Sequence, residues 1–191
     1  MGELILISGA NDSGKSRFAE SLFRAFPGGR YYIATMRPQT EENRRRIEKH
    51  RRQREGLGFD TIETPGPVAG AAVSPEGGVL LEDVSNLLSN AVFERGETAE
   101  DVYSDILRLR DRCALLVAVT ISGLRAADYD GETAAYIAAL NELNAALLDA
   151  ADAAVEMRLS LPFWSKGGAD EALERLFGGG IDLQRRPDAA L

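Results

Sequence analysis

Apolar residues in this chain fall into short unbroken runs, separated by longer stretches where they recur every three or four positions. The first pattern suits buried strands and the second amphipathic helices. Residues 4–8 (LILIS) form one apolar run ending at a glycine and predict a buried strand. From 15 to 26, Phe18, Leu22 and Phe26, with Ala19 and Ala25, mark a helix face, and Pro27-Gly28-Gly29 stops it. Residues 31–35 (YYIAT) predict a second strand, and Phe59–Glu63 a short one. Residues 78–83 (GVLLED) predict a buried strand closed by two acids, and 114–120 another strong strand. Helices are expected over 84–94, 98–111 and 132–150, with a last strand at 153–159. The segment 41–55 also has helix-forming composition, yet Ile47 is its one evident apolar anchor. A helix so polar buries little and is expected to project from the body.

Strands alternating with helices imply βαβ crossovers. The expected fold is therefore α/β, a mainly parallel sheet with helices on both faces, in one domain over residues 1–166. Residues 167–191 are glycine-rich and charged and are expected to add a short helix, 170–177, and a loose tail. No apolar run is long enough to span a bilayer, and the start lacks a basic n-region, so neither a membrane span nor a signal peptide is expected. The single cysteine, Cys113, opens an apolar run and reads as a buried thiol, which fits a reducing cytoplasm.

The formal net charge is −8, the wrong sign for a general nucleic-acid binder. Yet residues 44–54 (RRRIEKHRRQR) hold seven Lys/Arg against one acid, Glu48. Such a run is either a solvated helix face or a patch for a small polyphosphate.

The chemistry begins at Gly9-Ala10-Asn11-Asp12-Ser13-Gly14-Lys15-Ser16, a full match to G-x-x-x-x-G-K-[ST] between an expected strand and an expected helix. Backbone N–H groups of such a P-loop form an anion nest at a helix N-terminus. Lys15 is expected to reach the β- and γ-phosphates of GTP or ATP, with Ser16 as a ligand to Mg²⁺. The predicted architecture is accordingly that of the RecA-like P-loop NTPases. A second metal acid is expected at the end of a neighbouring strand, where Glu82 is preferred over Asp83; Asp83 can also cap the helix that follows. His50, the lone histidine, lies in the arginine-rich segment. Flanking Lys49 and Arg51 are expected to keep its imidazole neutral and therefore nucleophilic toward an α-phosphorus. Arg46, Arg51 and Arg54 are the candidates to hold the polyphosphate.

Taken together, these segments resemble the bifunctional adenosylcobinamide kinase/adenosylcobinamide-phosphate guanylyltransferase family of cobalamin biosynthesis. The resemblance rests on the P-loop, Tyr32-Ile33-Ala34-Thr35, Glu41-Glu42 and Arg46-Ile47-Glu48-Lys49-His50. It continues through Arg54, Thr61-Ile62-Glu63-Thr64-Pro65, Leu80-Leu81-Glu82 and Leu88-Ser89-Asn90. Asn144, Ala151-Asp152, Leu161-Pro162 and Lys166 complete it. It implies that His50 carries GMP covalently, that the acceptor is the corrinoid adenosylcobinamide, and that the chain is a homo-oligomer, a trimer. The second half departs from the family: Thr120-Ile121-Ser122-Gly123-Leu124 replaces Thr-Asn-Glu-Val-Gly, and Ile137-Ala138 replaces an Arg-Asp pair. Two alternatives stay open, a P-loop kinase for another small acceptor and a non-catalytic GTP- or ATP-binding regulator.

Overall fold

Successive side chains of a strand point to opposite faces, so a strand apolar at every position demands cover on both sides. In the computed structural model, which describes residues 1–167, that demand is met strand by strand. In β1 (Glu3–Gly9), Leu4 and Leu6 enter one core while Ile5 and Ile7 enter the other. β4 (Gly78–Glu82) and β5 (Leu115–Val119) divide in the same way. Each buried Leu or Ile contributes roughly 1.5–3 kcal/mol, which ties the register of these three strands to the hydrophobic pattern.

The sheet has seven strands in the order β3-β2-β4-β5-β1-β6-β7. β2 (Arg30–Ala34), β3 (Phe59–Glu63) and β6 (Ala153–Arg158) run parallel to their neighbours. β7 (Leu161–Lys166) returns antiparallel against β6 as an edge strand. The apolar pattern predicted β6 as the last strand. β7 escaped it because its first three side chains, Leu161, Pro162 and Phe163, are exposed, so it has no buried run to read.

Helix α1 (Lys15–Leu22), extended by a 3₁₀ turn at Phe23–Ala25, covers one face through Ala19, Leu22 and Phe23. The helices α3 (Val84–Asn90), α4 (Ala99–Arg110) and α5 (Gly131–Ala150) cover the other. A π-helical turn at Ala91–Arg95 follows α3. α2 (Glu41–Arg54) starts at Thr40, whose side chain accepts from Asn43 N at 3.0 Å, and buries only Arg54. It belongs to neither core, as its polar composition predicts. The helix expected at 170–177 and the tail after it lie outside the described residues.

Several residues singled out in the sequence serve as stitching. Asn90 Nδ2 donates to Thr35 O at 2.9 Å and to Pro65 O at 3.0 Å, and Thr35 Oγ1 donates to Asp83 O at 2.9 Å. Asn144 accepts from Thr120 Oγ1 at 2.7 Å and donates to Ile121 O at 2.9 Å. Asp152 Oδ2 accepts from Leu4 N at 2.8 Å, and Lys166 Nζ donates to the C-terminal carbonyls of Leu148 and Asp149. The Asn90, Thr35 and Asn144 bonds fix the loops at the ends of β2, β4 and β5, while Asp152 and Lys166 tie the end of α5 to β1 and β7.

Candidate nucleotide-binding site

The loop between β1 and α1 requires glycine at two points. Gly9 has φ 151°, and a Cβ there would fall 2.6 Å from Met157 O; Gly14 has φ 89°. Past Gly14 the chain enters α1, whose unsatisfied N-terminal N–H groups meet the mouth of a cavity of about 570 Å³. The cavity is walled by Asn11, Asp12, Ser13, Lys15 and Ser16 of the loop and by Arg46, Lys49, His50 and Arg54 of α2. Glu82 and Asp83 close it beneath. A broader depression on the outer side of α2 lies between Arg44, Arg45 and Arg52, whose charges are already taken up by Glu41 and Glu48.

Lys15 is buried and its ammonium donates to Ala10 O at 2.6 Å; burial pulls its pKa below the ordinary lysine value. Ser16 Oγ donates to Glu82 Oε1, joining the loop to the end of β4. Burial pushes the Glu82 carboxyl up to about 8, against the Ser16 hydrogen bond, which pulls it down. Asp83 is instead the N-cap of α3: its Oδ1 accepts from Asn86 N at 2.7 Å and Ser85 Oγ at 2.6 Å. The peptide between Glu82 and Asp83 is cis.

Ser16 Oγ and the buried Glu82 carboxyl, whose Oε2 has no hydrogen-bond partner, fit one side of a Mg²⁺ site. Among the described residues no group of three or more His, Cys, Asp or Glu could hold a metal. A cation here would take its remaining ligands from phosphate and water, the usual habit of magnesium.

The structure corrects two expectations on α2. α2 was expected to project and bury little, yet the His50 side chain is only 20 % exposed, in the cavity wall beside the phosphate loop. Burial is the first cause lowering its pKa, followed by Arg54 and Arg46, with Lys49 a smaller contributor. Arg51, the flanking residue named from the sequence, is turned outward and pairs with Glu63 Oε1 at 2.6 Å, so it does not reach the cavity. Arg54 does reach it. Its guanidinium lies 3.3 Å over the Tyr32 ring and is buried, with Nη1 unpartnered. His50 Nδ1 and Ser13 Oγ are likewise buried and unpartnered. Four residues that line one cavity thus each carry a buried polar atom without a hydrogen-bond partner, at a cost in free energy.

Sequence reasoning missed Tyr32 as the platform for Arg54, since an aromatic residue in an apolar strand reads as core. It also missed Ser160, which lines the cavity from the β6–β7 turn. The departures at Ser122, Ile137 and Ala138 stand apart from this wall. Ser122 N donates to Gly9 O at 3.1 Å, and Ile137 is buried in α5.

The family model described as cobinamide kinase / cobinamide phosphate guanyltransferase matches residues 5–162. No curated protein sequence matches the chain. Among solved structures, a prototypical ATPase from the type III secretion system of pathogenic bacteria superposes with a TM-score of 0.50 at 9 % identity. The match covers 89 % of this chain and 60 % of that one, and at such identity the likeness is one of fold. No helix among the described residues is long and apolar enough to cross a membrane.

Proposed function

The chain belongs to the cobinamide kinase / cobinamide phosphate guanyltransferase family, and on that premise we propose that it carries out both reactions at the cavity between the phosphate loop and α2. In the first, the γ-phosphate of a nucleoside triphosphate passes to the aminopropanol hydroxyl of adenosylcobinamide: the γ-phosphorus forms a bond to that oxygen and the nucleoside diphosphate leaves. In the second, an imidazole nitrogen of His50 attacks the α-phosphorus of GTP. The N–P bond forms, the bond to the β-phosphate oxygen breaks, and pyrophosphate leaves. A phosphate oxygen of the phosphorylated corrinoid then attacks that phosphorus, the N–P bond breaks, and His50 is freed.

One observation carries the reading. A histidine held neutral faces the same cavity as Lys15 and the Ser16–Glu82 pair. Neutrality leaves the lone pair free to attack, while Lys15, Arg46 and Arg54 supply positive charge for the leaving phosphates. Ser16 and Glu82 would hold Mg²⁺, which offsets phosphate charge when bound. The same reading carries a homo-oligomer, a trimer, working in the cytoplasm.

The test is incubation with Mg²⁺ and GTP labelled at the α-phosphorus, followed by intact mass. One GMP per chain is expected, stable to mild base and released by acid, and absent from His50→Ala. An adduct that persists in His50→Ala would refute the nucleophile; tight GTP binding without any adduct would favour a kinase or a regulator.

A further inference from the structure

The turn joining β6 to β7 places two consecutive non-glycine residues in the left-handed region, Leu159 at φ 50° and Ser160 at φ 65°. Side chains disfavour this conformation, and it persists where surroundings impose it. Here the two-residue hairpin between the paired Arg158 and Leu161 imposes it, and that turn lies against the phosphate loop. Ser160 N donates to Ser13 O at 3.1 Å, and a Cβ added to Gly14 would lie 3.2 Å from Ser160 Oγ. Backbone and side chain both lie against the loop, and Ser160 is part of the cavity wall.

Sheet order gives this position a meaning. β1, which feeds the loop, lies between β5 and β6. Glu82 comes from β4, beyond β5, and receives the Ser16 hydroxyl, so the metal and the terminal phosphate of a bound triphosphate belong on that side. Ser160 comes from β6, on the opposite side. In the pose for the first of the two proposed reactions, a triphosphate laid across the loop with its γ-phosphate toward Glu82 carries its nucleoside toward the β6–β7 turn. We infer that Ser160 is a nucleotide-binding residue whose hydroxyl hydrogen-bonds the ribose of a purine nucleoside triphosphate held in the loop. The inference rests on the proposed use of this cavity for a triphosphate and adds the group that meets the nucleoside.

Calorimetric titration of the full chain tests it, using Mg²⁺ with α,β-methylene ATP, α,β-methylene GTP and inorganic tripolyphosphate. The methylene analogues block transfer from the α-phosphorus. Wild-type protein should bind all three. Ser160→Ala keeps the Cβ and the backbone bond to Ser13, and should bind both nucleotides about 3- to 10-fold more weakly, with tripolyphosphate unchanged. Ser160→Gly should show the same selective loss while unfolding at a higher temperature, because glycine relieves the left-handed backbone. Unchanged nucleotide affinity in Ser160→Ala would overturn the inference. Equal losses for nucleotide and tripolyphosphate would also overturn it, since the turn would then be shaping only the loop. Wild-type protein that binds none of the three would remove the triphosphate reading itself, and this inference with it.

Discussion

His50 Nδ1 lies 3.9 Å from Glu82 Oε1, which brings the only histidine of the chain to the oxygen that receives the Ser16 hydroxyl. The two do not form an ion pair near neutral pH. Burial lowers the imidazole pKa and raises that of the carboxyl to about 8, so both favour their neutral forms. The proposed nucleophile and the proposed metal acid are thus neighbours, without a charge pair that a ligand would have to break.

Lys15→Ala should weaken triphosphate binding about 100-fold or more, since it removes charge-assisted bonds to two phosphates. Its folded stability should hold or rise, because a desolvated ammonium is lost. Titration with GTP and ATP beside a thermal melt separates the two effects. Unchanged affinity would remove the phosphate-loop assignment.

α2 should exchange its amide hydrogens faster than α4, and should slow markedly when GTP and Mg²⁺ are added. Only Arg54 of α2 is buried, and its ties to the body include the exposed pairs Arg51–Glu63 and Lys49–Asp12. Exposed pairs contribute little. Strong protection without nucleotide would show α2 to be a fixed structural element.

Asn90→Ala should destabilise the fold by roughly 1–3 kcal/mol, because it orphans the Thr35 carbonyl and leaves Pro65 O to Arg95 Nη1 alone. Thr35 in turn bonds Asp83 N and O beside Glu82, so the Mg²⁺ concentration needed for nucleotide binding should rise as well. Urea unfolding and a Mg²⁺ titration at fixed GTP measure the two. A loss of stability with unaltered Mg²⁺ dependence would confine Asn90 to scaffolding.

Glu20 supplies a pH signature. Burial raises its carboxyl to about 7 from an ordinary 4.5, against the pull of Arg54, Arg17 and Arg24. The folded chain therefore holds this proton more tightly than the unfolded chain. Its contribution to stability is present below pH 4.5 and is lost as pH rises through 7. Glu20→Gln keeps the shape without the charge, and should exceed wild type by on the order of 2 kcal/mol at pH 8, with no such advantage at pH 4. Urea midpoints across that range would show it, and a constant difference would refute the titration.

What the sequence determined is what local physics determines. Strands apolar at consecutive positions had to be buried on both faces, which set the α/β class. The spacing of Gly9, Gly14, Lys15 and Ser16 pointed to a phosphate-binding loop, and a glycine-bounded loop stands there between β1 and α1. The acid at the end of β4 followed from the same logic, and the structure joins Glu82 to Ser16. Tertiary structure decided what depends on residues far apart in sequence. Charge near His50 was legible, but its burial was not, because only the placement of α2 over the loop removes its water. Arg51 and Arg54 look alike in sequence; the turn of the helix sends one out to Glu63 and the other in over Tyr32. β7 and Ser160 carry no periodic signal, since an edge strand with exposed apolar residues has no buried face to impose one. Their place beside the phosphate loop comes from a hairpin that pairs β7 with β6, 150 residues after the loop it touches, a separation no local pattern can encode.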